Sequence, residues 1–181
     1  MRKQKGFSLI ELLIVVAIIL IIAAIAIPNL MKSKQAANQA AAAANTRTMI
    51  SSEHTFSTTY FGASGYFADT LARLGPPAGA TSCPANGGTS AAACLLDGVL
   101  GCQTATCIKD NYQYTVTGIG AWPTVTDYVT FATAIGANYG KQDFCAVSDG
   151  VVRFNVLTAT TPPTPAVTVV SICTGAPYGP L

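Results

Sequence analysis

One acid stands inside an otherwise apolar run. The stretch Gly6 to Ile27, GFSLIELLIVVAIILIIAAIAI, carries a single ionisable side chain, Glu11, near its start. A carboxylate in such surroundings costs on the order of 2.5–3.5 kcal/mol at a bilayer centre and less near its edge, so an acid kept there takes a partner. Cysteine supplies the second reactive set: Cys83, Cys94, Cys102, Cys107, Cys145 and Cys173 all lie beyond the apolar run. An even number in a small, loop-rich region reads as disulfides made outside the cytoplasm. Proximity along the chain alone orders them as Cys83–Cys94, Cys102–Cys107 and Cys145–Cys173, and the other pairings stay open. Zinc is the poorer reading, because there is no CxxC pair and the one histidine, His54, lies far upstream.

Catalytic patterns do not emerge. GxSxG, HExxH and paired-acid constellations are missing from the sequence, and one histidine leaves little scope for acid–base work. Gly136 to Lys141, GANYGK, superficially resembles a phosphate-binding loop, but its glycine spacing is one short and Gln142 stands where a Mg²⁺-binding Ser or Thr is needed. No cofactor or metal site is expected. The chemistry on offer is ion pairing and cross-linking.

Those residues need elements to hold them. As a helix, Phe7 to Ile27 spans roughly 32 Å, enough to cross a hydrocarbon core of ~30 Å. Only MRKQKG precedes it, with three basic residues. An ordinary secretory signal has a shorter apolar core and a small-residue cleavage site behind it, and Ala23, Ala24 and Ala26 offer only a weak one. A plain signal anchor leaves Glu11 unexplained. Ser8 can cap the first turn, and Pro28, lacking an N–H, kinks or loosens the helix where the apolar run ends. From Asn29 to about Thr58 the helix should continue, alanine-rich over Gln35–Asn45. Met49, Phe56 and Tyr60 then fall within about 40° of one another at helical spacing and, with Ile50 and Phe61, form a stripe to seat a sheet. Glu53 falls on the same side and needs a partner or an opening to water. His54 points away, toward solvent.

Gly6, Phe7 and Glu11, with the apolar run and Pro28 behind them, resemble the class III signal of type IV pilins and pseudopilins. The resemblance covers about the first 55 residues. It implies cleavage between Gly6 and Phe7 by a prepilin peptidase, N-methylation of Phe7, and assembly through Phe7, Glu11 and Pro28. It also implies that Glu11 neutralises the terminal amine of a neighbouring copy, and that Pro28 marks a segment able to lose helical structure in a filament. The expected divisions are residues 1–6 as leader, 7–27 as transmembrane and assembly helix, 28–60 as the amphipathic half of that helix, 61–111 as the αβ-loop region, and 112–181 as sheet and C-terminal region. The fold class expected is α+β, a long N-terminal helix packed against four to five antiparallel strands.

The later chain fits that outline. A short helix is expected at Tyr66–Leu74 and one helical turn within Cys94–Leu100, with a Gly/Ala/Ser/Pro-rich stretch between them. Strands are expected at Tyr112–Ile119, Tyr128–Ala134, Phe144–Val147, Val151–Leu157 and Val167–Cys173. Ser148-Asp149-Gly150 forms a hairpin turn, and Thr158–Pro165 is a stiff linker. The family's secretion pseudopilins carry calcium in their sheet loops. Asp127, Asp143 and Asp149 are the available acids, and turn formation explains them more simply.

Charge narrows the partners. The formal charge is +2, and without Arg2, Lys3 and Lys5 the chain keeps 7 basic and 8 acidic residues. Nothing recommends nucleic acid. Three leader basics against Lys32 and Lys34 barely decide orientation, whereas the cysteines place the head outside. The expected partners are other copies of the chain, the prepilin peptidase, the inner-membrane assembly machinery and, before assembly, membrane lipid. The expected course runs from a single-pass inner-membrane precursor with its leader in the cytoplasm to an extracellular pilus. A periplasmic type II secretion pseudopilus and a non-polymerising membrane-anchored binding protein are the rival readings. The sequence does not choose among adhesion, motility and DNA uptake.

Overall fold

The computed structural model describes residues 7–80, 82–85, 87–157 and 169–181. The leader, Gly6 and the Thr158–Pro165 linker lie outside the described residues. The chain divides into two compact units, one reaching Lys34 and the other running from Gln35 to Leu181.

Helix α1, Leu9–Phe56, contributes to both units. Six of its nine buried positions in the second unit, Asn38, Ala42, Thr46, Met49, Glu53 and Phe56, step by three or four, and Ala43, Ile50 and Ser52 widen that stripe, so one side faces inward. A five-residue π turn, Ser57–Phe61, and a short 3₁₀ turn, Gly62–Ser64, end the helix.

The sheet is a six-stranded antiparallel meander in sequence order: β1 Cys107–Lys109, β2 Tyr112–Ile119, β3 Asp127–Ala134, β4 Gln142–Val147, β5 Arg153–Val156 and β6 Gly179–Pro180. The register pairs Tyr112 with Ala134, Tyr114 with Ala132 and Phe131 with Cys145. Alternation gives each face a set of side chains. Tyr112, Tyr114, Val116, Ala132, Ala134, Phe144 and Ala146 pack against Ala42, Met49, Ile50 and Phe56 of α1. Val129, Phe131, Cys145 and Val147 turn to the second face, where Cys173 and Val170 cover them. The fold is α+β, a long N-terminal helix followed by an antiparallel sheet.

Three expectations change. The strand expected at Val167–Cys173 is instead helix α3, Val170–Thr174, with Val167 and Thr168 outside the described residues. A short apolar run has no decisive period; here a helical turn brings Val170 and Cys173 together onto the second face, and Gly179–Pro180 pairs with β5. The helix expected over Tyr66–Leu74 shrinks to α2, Leu71–Leu74. Backbone groups ahead of it are taken by tertiary partners: Phe67 N–H bonds to Val125 O (3.0 Å), Ala68 N–H to Glu53 (2.9 Å), and Asp69 O accepts from Gly118 N–H (3.1 Å). Third, β1 was not expected. Its hairpin turns on Asp110 and Asn111, both at positive φ (52° and 62°), the conformation a two-residue primed turn demands.

The loop from α2 to β1 is built into the core. Leu96 and Leu100 are buried beside Leu74, and the N–H groups of Leu95 and Leu96 both reach Leu74 O. Gly75 and Gly101 cross backbone to backbone there, so a Cβ on either would collide with the other's main chain. Cys83–Cys94, Cys102–Cys107 and Cys145–Cys173 are disulfides, with Cα separations of 5.7, 5.7 and 5.9 Å. The last joins β4 to α3, and both of its cysteines are buried. Replacing Cys145 and Cys173 together by alanine is expected to lower the unfolding free energy by about 3 kcal/mol, read from the shift in urea midpoint, with the strand content seen by circular dichroism retained.

Candidate functional site

The residues singled out at the N-terminus sit on the first unit. Phe7 is 80% exposed, and residues 7–22 and 24–34 are exposed on every side of the helix. Helix α1, with the turns that extend it, is long and apolar enough to cross a membrane, and its most apolar window contains no buried residue. A helix apolar all round requires lipid or other helices around it.

Glu11 has one defined contact. Its Oε2 accepts the Ser8 backbone N–H at 3.0 Å. With Ser8 preceding the first helical residue and Glu11 three positions on, this is one arm of a capping box. The spacing S-x-x-E is legible in the sequence, and the structure adds the Glu11 half to the cap expected of Ser8. The carboxylate also lies where helix N-terminal amides favour negative charge. Pro28 lies inside α1, which continues as helix on both sides of it. Gly6 is outside the described residues.

Elsewhere the candidate residues have structural duties. The phosphate-loop lookalike Gly136–Lys141 connects β3 to β4 and receives α1: Gln35 Nε2 donates to Ala137 O (3.2 Å) and Asn38 Nδ2 to Tyr139 O (2.9 Å). Asn45 Nδ2 reaches Tyr114 Oη (2.9 Å) and Asp110 (3.2 Å). These amides alternate with alanines that let the helix lie close to the sheet, a role that composition alone does not disclose.

The three acids part company. Asp127 Oδ1 accepts the N–H groups of Tyr128 (2.7 Å) and Ser148 (3.3 Å). Asp149 pairs with Arg153 and accepts the Val151 N–H, which holds its carboxyl below the usual range. Asp143 is wholly buried on the second sheet face with both oxygens unpaired. Burial raises its pKa to about 6, against the opposing influence of the Thr133 hydroxyl and the Ala134 amide, neither of which completes a hydrogen bond to it. Among the described residues no three His, Cys, Asp or Glu side chains come together.

What decides the N-terminus is its likeness to known sequences. Residues 1–27 match the family model for the prokaryotic N-terminal methylation motif. The chain opens on a prepilin-type motif. Two curated proteins extend the likeness. The type IV wide pilus major component PilA4 of Thermus thermophilus is 63% identical over 38 residues, 21% of this chain and 29% of that protein. The type IV major pilin protein PilA of Myxococcus xanthus is 46% identical over 54 residues, 30% of this chain and 24% of that protein. The matched stretch thus spans about a quarter of each relative's length. No solved structure matches. Both relatives are named as type IV pilus proteins, one as a major component and one as a major pilin.

Asp143 yields a direct test. Its folded pKa lies above the unfolded value of 3.8, so the fold favours the neutral acid. The contribution of Asp143 to stability is full below about pH 4, declines as pH rises toward about 6, and is level above. Asp143→Asn is expected to lessen the fall in stability between pH 4 and 6, to leave the slope above pH 6 unchanged, and to raise stability at pH 7.5 by about 1–3 kcal/mol, measured by urea titration across pH 4–8.

Proposed function

We propose that the chain is the precursor of a type IV pilus subunit. One observation carries this reading: a prepilin-type methylation motif continuing into a helix that is apolar on every face and interrupted only by Glu11. Cleavage after Gly6 frees the amine of Phe7, which is then methylated. The apolar helix rests in the inner membrane with the disulfide-bonded head outside, then passes into a filament core built from copies of itself. The proposed divisions follow the chain: leader 1–6, assembly helix 7–27, amphipathic helix 28–60, αβ-loop region 61–111, sheet and tail 112–181. The prepilin peptidase and the inner-membrane assembly machinery are its processing partners, and the pilus is extracellular.

Glu11 meets two demands in this scheme. In the isolated chain its carboxylate caps its own helix through Ser8. In the filament it pairs with the Phe7 amine of a neighbouring copy, an interaction strengthened where water is excluded. The exchange replaces a neutral N–H donor by a full positive charge. Pro28, whose ring denies the helix one hydrogen bond, supplies the point at which α1 can loosen during packing. Relatives named as major pilins favour a surface pilus over a type II secretion pseudopilus.

Mass spectrometry of fibres sheared from the native cells should find a mature chain beginning at N-methyl-Phe7 and lacking six hydrogens for three disulfides. Processed chain confined to the envelope would favour the pseudopilus, and an unprocessed chain beginning at Met1 would reject both. Glu11→Ala should leave processing intact but reduce incorporation into fibres at least tenfold, scored by immunoblot of sheared and membrane fractions. Normal incorporation would reject the pairing role.

A further inference from the structure

The seam where α1 meets the segment ahead of α2 holds an acid in an unusual position. Glu53 is 0% exposed, its Oε2 accepts the Ala68 N–H at 2.9 Å, and its Oε1 has no partner. We propose that Glu53 is a protonation latch: as a neutral acid it clamps the Tyr66–Asp69 segment to α1, and on losing its proton it releases that segment from the seam.

The surroundings argue for the neutral form on every side. Among the described residues no lysine or arginine is paired with Glu53. The nearby cation Arg73 is committed twice, to an ion pair with Asp69 and to the face of Trp122 at 3.5 Å. From β3 comes Tyr128, whose buried Oη is also unpaired, and Asp127 at the head of the strand. From the β4–β5 turn comes Asp149, already paired with Arg153. On α1 itself the next residue, His54, is exposed and lies edge-on to Phe67 and Tyr128 at 5.9 and 6.5 Å. The field from Asp69 opposes another negative charge, and the Arg73 guanidinium that answers it is already paired. A proton on Oε1 removes the charge that would otherwise sit on an orphaned, buried acceptor. In agreement, burial first and Asp69 second lift the pKa of Glu53 to about 8, against the pull of the Ala68 amide.

Ionisation leaves a buried, unpaired carboxylate that must reach water. The element best able to yield is the stretch between Gly62 and Thr70. It has no regular structure beyond one 3₁₀ turn, and both Gly62 (φ 52°) and Gly65 (φ 66°) have open space around them. Three hydrogen bonds join it to the rest of the head, the Glu53 bond and the backbone bonds Phe67 to Val125 and Gly118 to Asp69, beside the Asp69–Arg73 ion pair and the burial of Phe67 and Ala68. Release would disturb Trp122, the chain's one tryptophan, which rests on Phe56 (6.2 Å), Phe61 (5.6 Å) and the Arg73 guanidinium.

The chain has two glutamates, Glu11 and Glu53, so labelling glutamate δ-carbons with ¹³C gives two side-chain signals. In the detergent-solubilised full chain, the Glu53 carbon, assigned by its loss in Glu53→Gln, should titrate with a midpoint near pH 8. Trp122 emission should shift to the red over the same range, and exchange of the Phe67 and Ala68 amides should accelerate at least tenfold beyond the intrinsic effect of pH. Glu53→Gln should abolish the Trp122 transition, while His54→Gln and Asp143→Asn retain it. A Glu53 carbon already ionised at pH 6 would overturn the proposal, even if Glu53→Gln fails to fold. So would a Trp122 transition that persists in Glu53→Gln or vanishes in His54→Gln.

Discussion

A single helix carries two kinds of surface, and the molecule is arranged around that change. Up to Lys34, α1 exposes leucine, isoleucine and valine in all directions. From Asn38 onward the inward positions recur at helical spacing, and most of the rest meet water. The change is written in composition: bulky apolar residues give way to alanine with asparagine and glutamine set between them. Alanine preserves helix propensity while withdrawing bulk, which brings the backbone close enough for Gln35, Asn38 and Asn45 to reach loop carbonyls and the Tyr114 hydroxyl. Hydrophobic burial enters at Met49, Ile50 and Phe56 against the sheet's tyrosines and Phe144. The head is held by amides at one end of its helix and by packing at the other.

Cross-links complement a core that is narrow for its loops. Between α2 and β1 the described residues form almost no regular structure. Two of the three disulfides fall there, and Leu96 and Leu100 carry that connection into the interior. The third disulfide secures α3 over the second sheet face, where Val129, Phe131 and Val147 would otherwise lack cover. Constraining the unfolded chain is the general way in which small extracellular domains offset limited burial.

Much of this was legible in order of how local the causes are. Tyr112–Ile119 declared itself by alternation and is a strand over those same residues. The stripe through Met49 and Phe56 was readable because helical periodicity needs no knowledge of what lies opposite. Glu53 was visibly out of place, and its burial with a single amide partner follows only once the 66–69 segment is seen to fold over it. Val170–Thr174 misled because five apolar-leaning residues fit either period, and the decision rests with the uncovered face of the sheet. The β1 hairpin carried a signal that went unused: Asp110 and Asn111 are residue types that tolerate positive φ, and Ile108 and Tyr112 flank them. Glu11 combined both situations, plain as an intruder in an apolar run but misjudged in its local role, since S-x-x-E also spells a helix start.

The crossing of Gly75 over Gly101 bears on how such a head diversifies. Both ends of the intervening connection pass through one pinch in which neither backbone leaves room for a side chain. Beyond it, Pro84, Ala85, Gly87 and Thr89 are exposed, and the Cys83–Cys94 bridge ties the base of that excursion. Substitution at those exposed positions leaves the pinch untouched. Gly88 is different, because a side chain there would strike the Ala93 backbone, and the buried Ala92 and Ala93 tie the return of the excursion to the core. Variation in such a head is thus confined to the tip of the excursion, between the bridge that closes it and the alanines that anchor it.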